Sequence, residues 1–181
     1  NTRNPRSTVG TSTEIYDYLK LLYARVGKTF SPVSGKIVKR DRITDVVNHI
    51  VSYKNNTRVL ILSPFIKKEN RTLREQYEIL LQQGFTRLEI GGKVHKINVL
   101  LKQESLPESP ETYIVIDRIK VTDDEDTISR MADSADIAFY EGNGRCLIKA
   151  FVGEETETEE FSNRFERDGI VFDIPSVHTF S

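Results

Sequence analysis

Apolar residues recur along this chain at two spacings, and the switches between them lay out its elements. Ile15, Leu19, Leu22 and Val26 fall at helical spacing behind a T-x-x-E capping box of Thr11 and Glu14, and Gly27 supplies a stop, so a helix is expected over 11–26 that buries Ile15, Leu19 and Leu22 against a partner surface. A loop or short hairpin marked by Pro32 and Gly35 follows over 28–40. The spacing of Ile43, Val46, Val47, Ile50 and Val51 predicts a helix over 41–53 with Asp41 as its N-cap. Val59 to Leu62 is continuously apolar, the pattern of a central strand covered on both faces, and Pro64 ends it.

A second capping box, Thr72 and Glu75, opens a helix whose stripe is Leu73, Tyr77, Leu80 and Leu81 and which Gly84 stops. From 85 to 90 the pattern changes to alternation, with Leu88 and Ile90 on one face and Arg87 and Glu89 on the other. The Gly91-Gly92 turn and a return strand from Lys93 to about Val99 complete a hairpin. A long strand is expected over 113–121, interrupted by Asp117-Arg118. The acidic run over 123–126 suits a helix N-terminus, and Ile128, Met131, Ala132, Ala135 and Phe139 form the stripe behind it. Asn143-Gly144 turns the chain into a strand over 145–152 that carries Cys146 as a small apolar filler. The remaining residues start acidic and alternate weakly through Phe161, Phe165, Ile170 and Phe172. The expected class is α+β, helices packed on a mixed, mostly antiparallel sheet.

Composition alters this picture little. The 181 residues are 38% hydrophobic and 29% charged, enough for one good core or two small ones. A formal net charge of −1 gives no global attraction to nucleic acid, so a DNA contact would need a local basic patch. No apolar run reaches the length of a membrane span, and the polar start is no signal peptide. The lone Cys146 leaves no internal disulfide, which points to the cytoplasm and makes the sequons at Asn55 and Asn70 chance matches.

Val9-Gly10-Thr11-Ser12 has no lysine in the cradle position of a phosphate-binding loop, and strands flank Gly91-Gly92, so neither holds a nucleotide. His49, His95 and His178 lie on different elements without cysteine or carboxylate at ligand spacing. The acidic run lacks the spaced oxygens and central glycine of a calcium loop. Asp117 and Asp133 could form a carboxylate pair for acid–base chemistry, but ion pairs with Arg118 and Arg130 are the stronger reading.

The run N-P-R-S-T-V-G-T-x-T-E-I-Y-D-Y-L-x-L-L-x-A-R-V-G over 4–27 resembles the segment after the Q-loop in the first ATP-binding half of the UvrA family, the damage-scanning ATPases of nucleotide excision repair. Gly84-Phe85, Val115-Ile116-Asp117-Arg118 and Arg130-Met131-Ala132-Asp133-Ser134 are similar to family patterns farther on. Many family members read C-P-x-C-G where this chain has Ser31-Pro32-Val33-Ser34-Gly35, and the second such motif is replaced by Phe165-Glu166-Arg167-Asp168-Gly169. Both thiolate pairs are lost, so no zinc is expected here.

The resemblance implies a fragment: 1–35 as a stub of the ATP-binding core, 36–152 as a UvrB-binding domain, and 153–181 as the return to the core. It implies a docking region and no enzyme activity or cofactor for this piece. ATP, magnesium, zinc, DNA damage recognition and homodimerisation belong to the parent. Arg87, Glu89, Lys93, Asp117, Arg118, Arg130 and Asp133 are the candidate UvrB contacts, because paired charges of both signs can set the register of a partner. The alternative is a DNA-contacting module guided by Lys36, Lys39, Arg40 and Arg42. A free-standing enzyme is the remaining class, which the missing motifs disfavour.

Overall fold

The structure, a computed structural model, describes residues 15–19, 21–22 and 27–173. It divides into two compact units, residues 41–164 and residues 1–40 with 165–181.

The 41–164 unit is built on a six-stranded sheet of order β5-β4-β6-β3-β7-β8. Its strands are β3 (Arg58–Pro64), β4 (Arg87–Ile90), β5 (Lys93–Lys96), β6 (Thr112–Lys120), β7 (Arg145–Val152) and β8 (Glu155–Ser162). Every pairing in it is antiparallel. The apolar run at Val59 to Leu62 lies in β3, between β6 and β7, which is the central position its unbroken hydrophobicity predicts.

Helix α1 (Ile43–Val51), α2 (Leu73–Gln82), the short α3 (Ile97–Leu100) and α4 (Glu125–Glu141) supply the apolar cover. Val46 and Ile50 of α1 and Met131, Ala135, Ala138 and Phe139 of α4 pack on Val59, Ile61, Ile119, Ile148 and Ala150. Tyr77 and Leu80 of α2, with Ile97 and Leu100 of α3, pack on Leu88, Ile90 and Ile114. A third cluster, Leu60, Leu62, Val115 and Leu147 with Tyr113 and Phe151 against it, contains strand residues alone and lies on the opposite face. Cys146 is fully buried in the first cluster, and burial pushes its thiol up to about 12, so it serves as packing.

Helix ends follow local chemistry where that chemistry is complete. The Thr72 hydroxyl accepts the Glu75 N–H at 3.2 Å while the Glu75 carboxylate accepts the Thr72 N–H at 2.8 Å, the reciprocal capping box its sequence predicts. Asp124 caps α4 by accepting the Thr127 N–H at 2.8 Å. Asp41, by contrast, does not cap α1. That position belongs to Arg42, whose N–H donates to the Asp45 carboxylate at 2.7 Å, while the Asp41 carboxylate accepts the Ser162 N–H at 2.9 Å. The return strand of the hairpin also ends earlier than its alternation suggests: Ile97, buried under α2, begins a helical turn in place of continuing to Val99. The sheet runs past the expected boundary at 152, because β8 pairs with β7 along its whole length, from Glu155 opposite Val152 to Ser162 opposite Arg145.

In the other unit, residues 15–19 and 21–22 are helical. Ile15, Leu19 and Leu22, expected on a buried stripe, are 56%, 41% and 41% exposed. The capping pair Thr11 and Glu14, and Val26, lie outside the described residues, as does His178. Among the described residues this unit also has two short hairpins: β1 (Thr29–Phe30) with β2 (Ile37–Val38), and β9 (Glu166–Arg167) with β10 (Ile170–Val171).

Candidate interaction site on the sheet

The charged residues singled out in the sequence are sorted by the pleat of the sheet. Glu89 stands opposite Tyr113, and Arg118 opposite Leu60, so Arg87, Glu89 and Arg118 share the face of the strand-only cluster. Asp117 stands opposite Ile61 on the helix-covered face. A register shift between Ile61 and Leu62 leaves Ile116 as an extra residue in β6, which packs against both helix-side clusters.

The shift falls where β4 parts from β6. The two strands pair only through Leu88–Ile114, Glu89–Tyr113 and Ile90–Thr112, and beyond them a pocket of about 230 Å³ opens, lined by Thr86, Arg87, Val115, Ile116, Asp117, Arg118 and Arg130. Four of the candidate contacts, Arg87, Asp117, Arg118 and Arg130, thus meet at one place although they come from two strands and a helix.

Asp117 is the fixed point of that pocket. Arg130 grips it bidentately, Nε to Oδ2 at 2.8 Å and an Nη to Oδ1 at 2.6 Å, and the Ser134 hydroxyl donates to Oδ2 at 2.8 Å. Its Oδ1 also accepts the Arg118 N–H at 2.7 Å. Burial alone would raise this carboxyl, but the hydrogen bonds from Arg130, Ser134 and Arg118, with the Arg130 charge, together hold it below the usual aspartate range. Arg130 is raised in turn by its bond to Asp117. Because the folded value is the lower one, the resulting stability is present above the ordinary aspartate value and is lost as pH falls through the depressed value. Asp117→Asn is therefore expected to cost about 1–3 kcal/mol at neutral pH and far less near pH 2. Urea melts at the two pH values check this, and an unchanged gap between them would contradict the assignment.

Arg118 is exposed and Arg87 half-buried, and both line the pocket. An Arg87 Nη donates to the Thr86 hydroxyl at 3.1 Å, and no carboxylate contact to either guanidinium is found among the described residues. Glu89 has a different role from its strand neighbour: it is 4% exposed, and Lys149 of β7 donates to its Oε1 at 2.8 Å. With β6 and β3 between their strands, this pair reaches over the strand-only cluster. Lys149 was not singled out in the sequence, and no local signal could have done so, because the pairing depends on strand order.

Lys93 lies at the far end of the hairpin, opposite Ile90, and Asp133 on the exposed side of α4; neither lines the pocket. Of the basic cluster, Lys36, Lys39 and Arg40 belong to one unit and Arg42 to the other. His49 is packed against the rings of Tyr53 and Phe161, and His95 stands on β5 opposite Leu88. Among the described residues, no three of His, Cys, Asp and Glu gather as a metal site.

The 41–164 unit is thus an antiparallel sheet with helices on one face and a pocket that gathers three arginines around the Asp117 carboxylate. Residues 42–151 match the family described as the UvrA interaction domain, and the chain belongs to the UvrA family. It is 38% identical over 153 residues to UvrABC system protein A of Bacillus subtilis, an alignment that covers 84% of this chain and 16% of that protein. The protein of the same name from Neisseria gonorrhoeae is 34% identical over 174 residues, covering 96% and 18%, and that from Thermus thermophilus 32% identical over 168 residues, covering 90% and 17%. The chain thus spans less than a fifth of the length of these relatives.

Proposed function

We propose that the 41–164 unit is the docking module by which a UvrA-like nucleotide excision repair protein recruits UvrB. The observation that carries this reading is the convergence of Arg87 and Arg118 beside the Asp117–Arg130 pair in one pocket. A carboxylate-bearing partner surface would meet the Arg87 and Arg118 guanidinium groups there, while Asp117, held by Arg130, fixes the β6 backbone at Arg118. On this reading the piece binds and does not catalyse. ATP with magnesium would be handled elsewhere in the parent, as would zinc, damaged DNA and homodimerisation, and the whole would work in the cytoplasm. No described helix is long and apolar enough to cross a membrane.

Reversal of either arginine, Arg87→Glu or Arg118→Glu, is expected to weaken UvrB capture by roughly thirty-fold or more if the contact is desolvated. Asp133→Lys, outside the pocket, should cost under about 1 kcal/mol, as a rim charge does. Binding at two salt concentrations beside a thermal melt of each variant separates docking from folding. Wild-type capture by both arginine variants would put the docking face elsewhere. The DNA reading predicts the opposite pattern, salt-dependent DNA binding lost on reversing Lys36, Lys39, Arg40 and Arg42 with UvrB capture intact.

A further inference from the structure

The unit formed by residues 1–40 and 165–181 holds a second arrangement, independent of the docking pocket. Its two hairpins each end in a tight turn. The first runs through Ser31 to Gly35 between β1 and β2, closed by the Gly35 N–H donating to the Ser31 carbonyl at 2.9 Å and the Ser31 N–H to the Lys36 carbonyl at 2.9 Å. The second is the two-residue turn Asp168-Gly169, with φ of 53° and 78° at the two positions and Arg167 paired to Ile170, which is the left-handed geometry that Asp-Gly adopts between strands.

The tips of these hairpins meet on one atom. Asp168 Oδ2 accepts the hydroxyl of Ser34 at 2.5 Å and also the hydroxyl of Ser31, residues more than 130 positions away in the chain. Ser31 is buried, at 2% exposure, and its Oγ also accepts the Val33 N–H at 3.2 Å, so the turn around it is organised about this hydroxyl. Both hydroxyl protons are committed to the carboxylate. Two serine hydroxyls and a single carboxylate are not the donor set of a structural zinc, which is built from four thiolates and imidazoles, so these residues do not fit the metal that cysteines would hold in such turns.

We infer that Asp168 is a clasp: a single carboxylate oxygen, shared by Ser31 and Ser34, joins the two hairpin tips and takes the place of a bridging metal ion in this unit. The function is structural, and it requires an acidic acceptor on the second hairpin and a hydroxyl at both positions of the first. A charged acceptor makes the stronger hydrogen bond, and here it serves two donors at once. The depression of the Asp168 carboxyl below the usual range, by the Ser31 and then the Ser34 hydrogen bond, is consistent with that geometry.

The test uses the full chain and amide hydrogen exchange. Asp168→Asn is the informative change, because asparagine tolerates the positive φ at this position whereas alanine would add backbone strain of its own. It should speed exchange of the Gly35 amide in the first hairpin and the Phe172 amide beside the second, roughly three- to tenfold for both. The Ser31→Ala/Ser34→Ala double variant should do the same, and adding Asp168→Asn to it should bring no further acceleration, the non-additivity of groups acting as one contact. The Val121 amide in the six-stranded unit, bonded to the Thr57 carbonyl, is the internal control and should not change. Acceleration confined to the hairpin that carries the substitution, or additive effects in the triple variant, would overturn the clasp. So would one equivalent of zinc on the purified wild-type chain whose removal by a chelator accelerates the same amides.

Discussion

Lys149→Met is expected to remove about 3–5 kcal/mol of folding stability, a large fraction of what a domain of this size possesses. The cost does not come from the lysine as such. Glu89 is 6% exposed at its side chain, its Oε1 has Lys149 as cation, and its Oε2 has no hydrogen-bond partner among the described residues. Without the ammonium, an ionised carboxylate would be stranded over Leu60, Leu62, Val115 and Leu147. The double variant Glu89→Met/Lys149→Met should regain most of the loss or exceed the wild type, since apolar side chains of similar length can fill the space with no charge to desolvate. Urea melts of the four proteins give the coupling energy directly. If the double variant is as unstable as Lys149→Met alone, the lysine acts through packing and the electrostatic account fails.

Gly142→Ala is expected to be nearly as damaging, about 3 kcal/mol, for a purely steric reason. Gly142 ends α4 at φ −85°, a conformation any residue adopts, so backbone preference does not enter. A β-carbon there would lie 2.2 Å from the Arg145 carbonyl oxygen, 2.7 Å from the Ser63 hydroxyl and 2.9 Å from Pro64 Cδ. The first contact is backbone. The second group is buried and donates to the Ala138 carbonyl at 2.9 Å, so moving it would break a bond between β3 and α4. A denaturant midpoint close to that of the wild type would mean that the turn into β7 shifts without cost.

What could be read from the sequence follows the range over which each interaction acts. Thr72 and Glu75 are three residues apart and cap α2 as their spacing predicts; the apolar run in β3 gave its central place; alternation put Arg87 and Glu89 on one face. Each of these depends on neighbours in the chain. The errors depend on distant ones. Asp41 is a good N-cap residue by type, but it bonds Ser162, while Asp45 is in reach of the Arg42 N–H. The β8 strand holds only glutamate and threonine before Phe161, so hydrophobic periodicity is silent there and only pairing with β7 reveals it.

The candidate site divides in the same way. The sequence named Arg87, Asp117, Arg118 and Arg130, yet the pocket that gathers them opens where β4 stops pairing with β6, next to the register shift of β6 against β3, and no local pattern marks either. Glu89 and Arg87 looked equivalent from their shared face, and strand order separates them: one lies under Lys149, the other opens to the pocket. The Asp168-Gly169 turn could have been found, since Asp-Gly between short β-prone runs is a strong hairpin signal.

The bond between Asp41 and Ser162 also bears on how such a unit sits in a longer polypeptide. Asp41 donates its N–H to the Ser162 carbonyl at 2.7 Å and takes the Ser162 N–H on its carboxylate at 2.9 Å, so the first and nearly the last residues of the 41–164 unit are fastened side by side. The chain enters and leaves through one doorway. A unit with that property can be spliced out and bridged by a short linker, exchanged for that of a relative, or circularly permuted, without asking the flanking polypeptide to span a new distance.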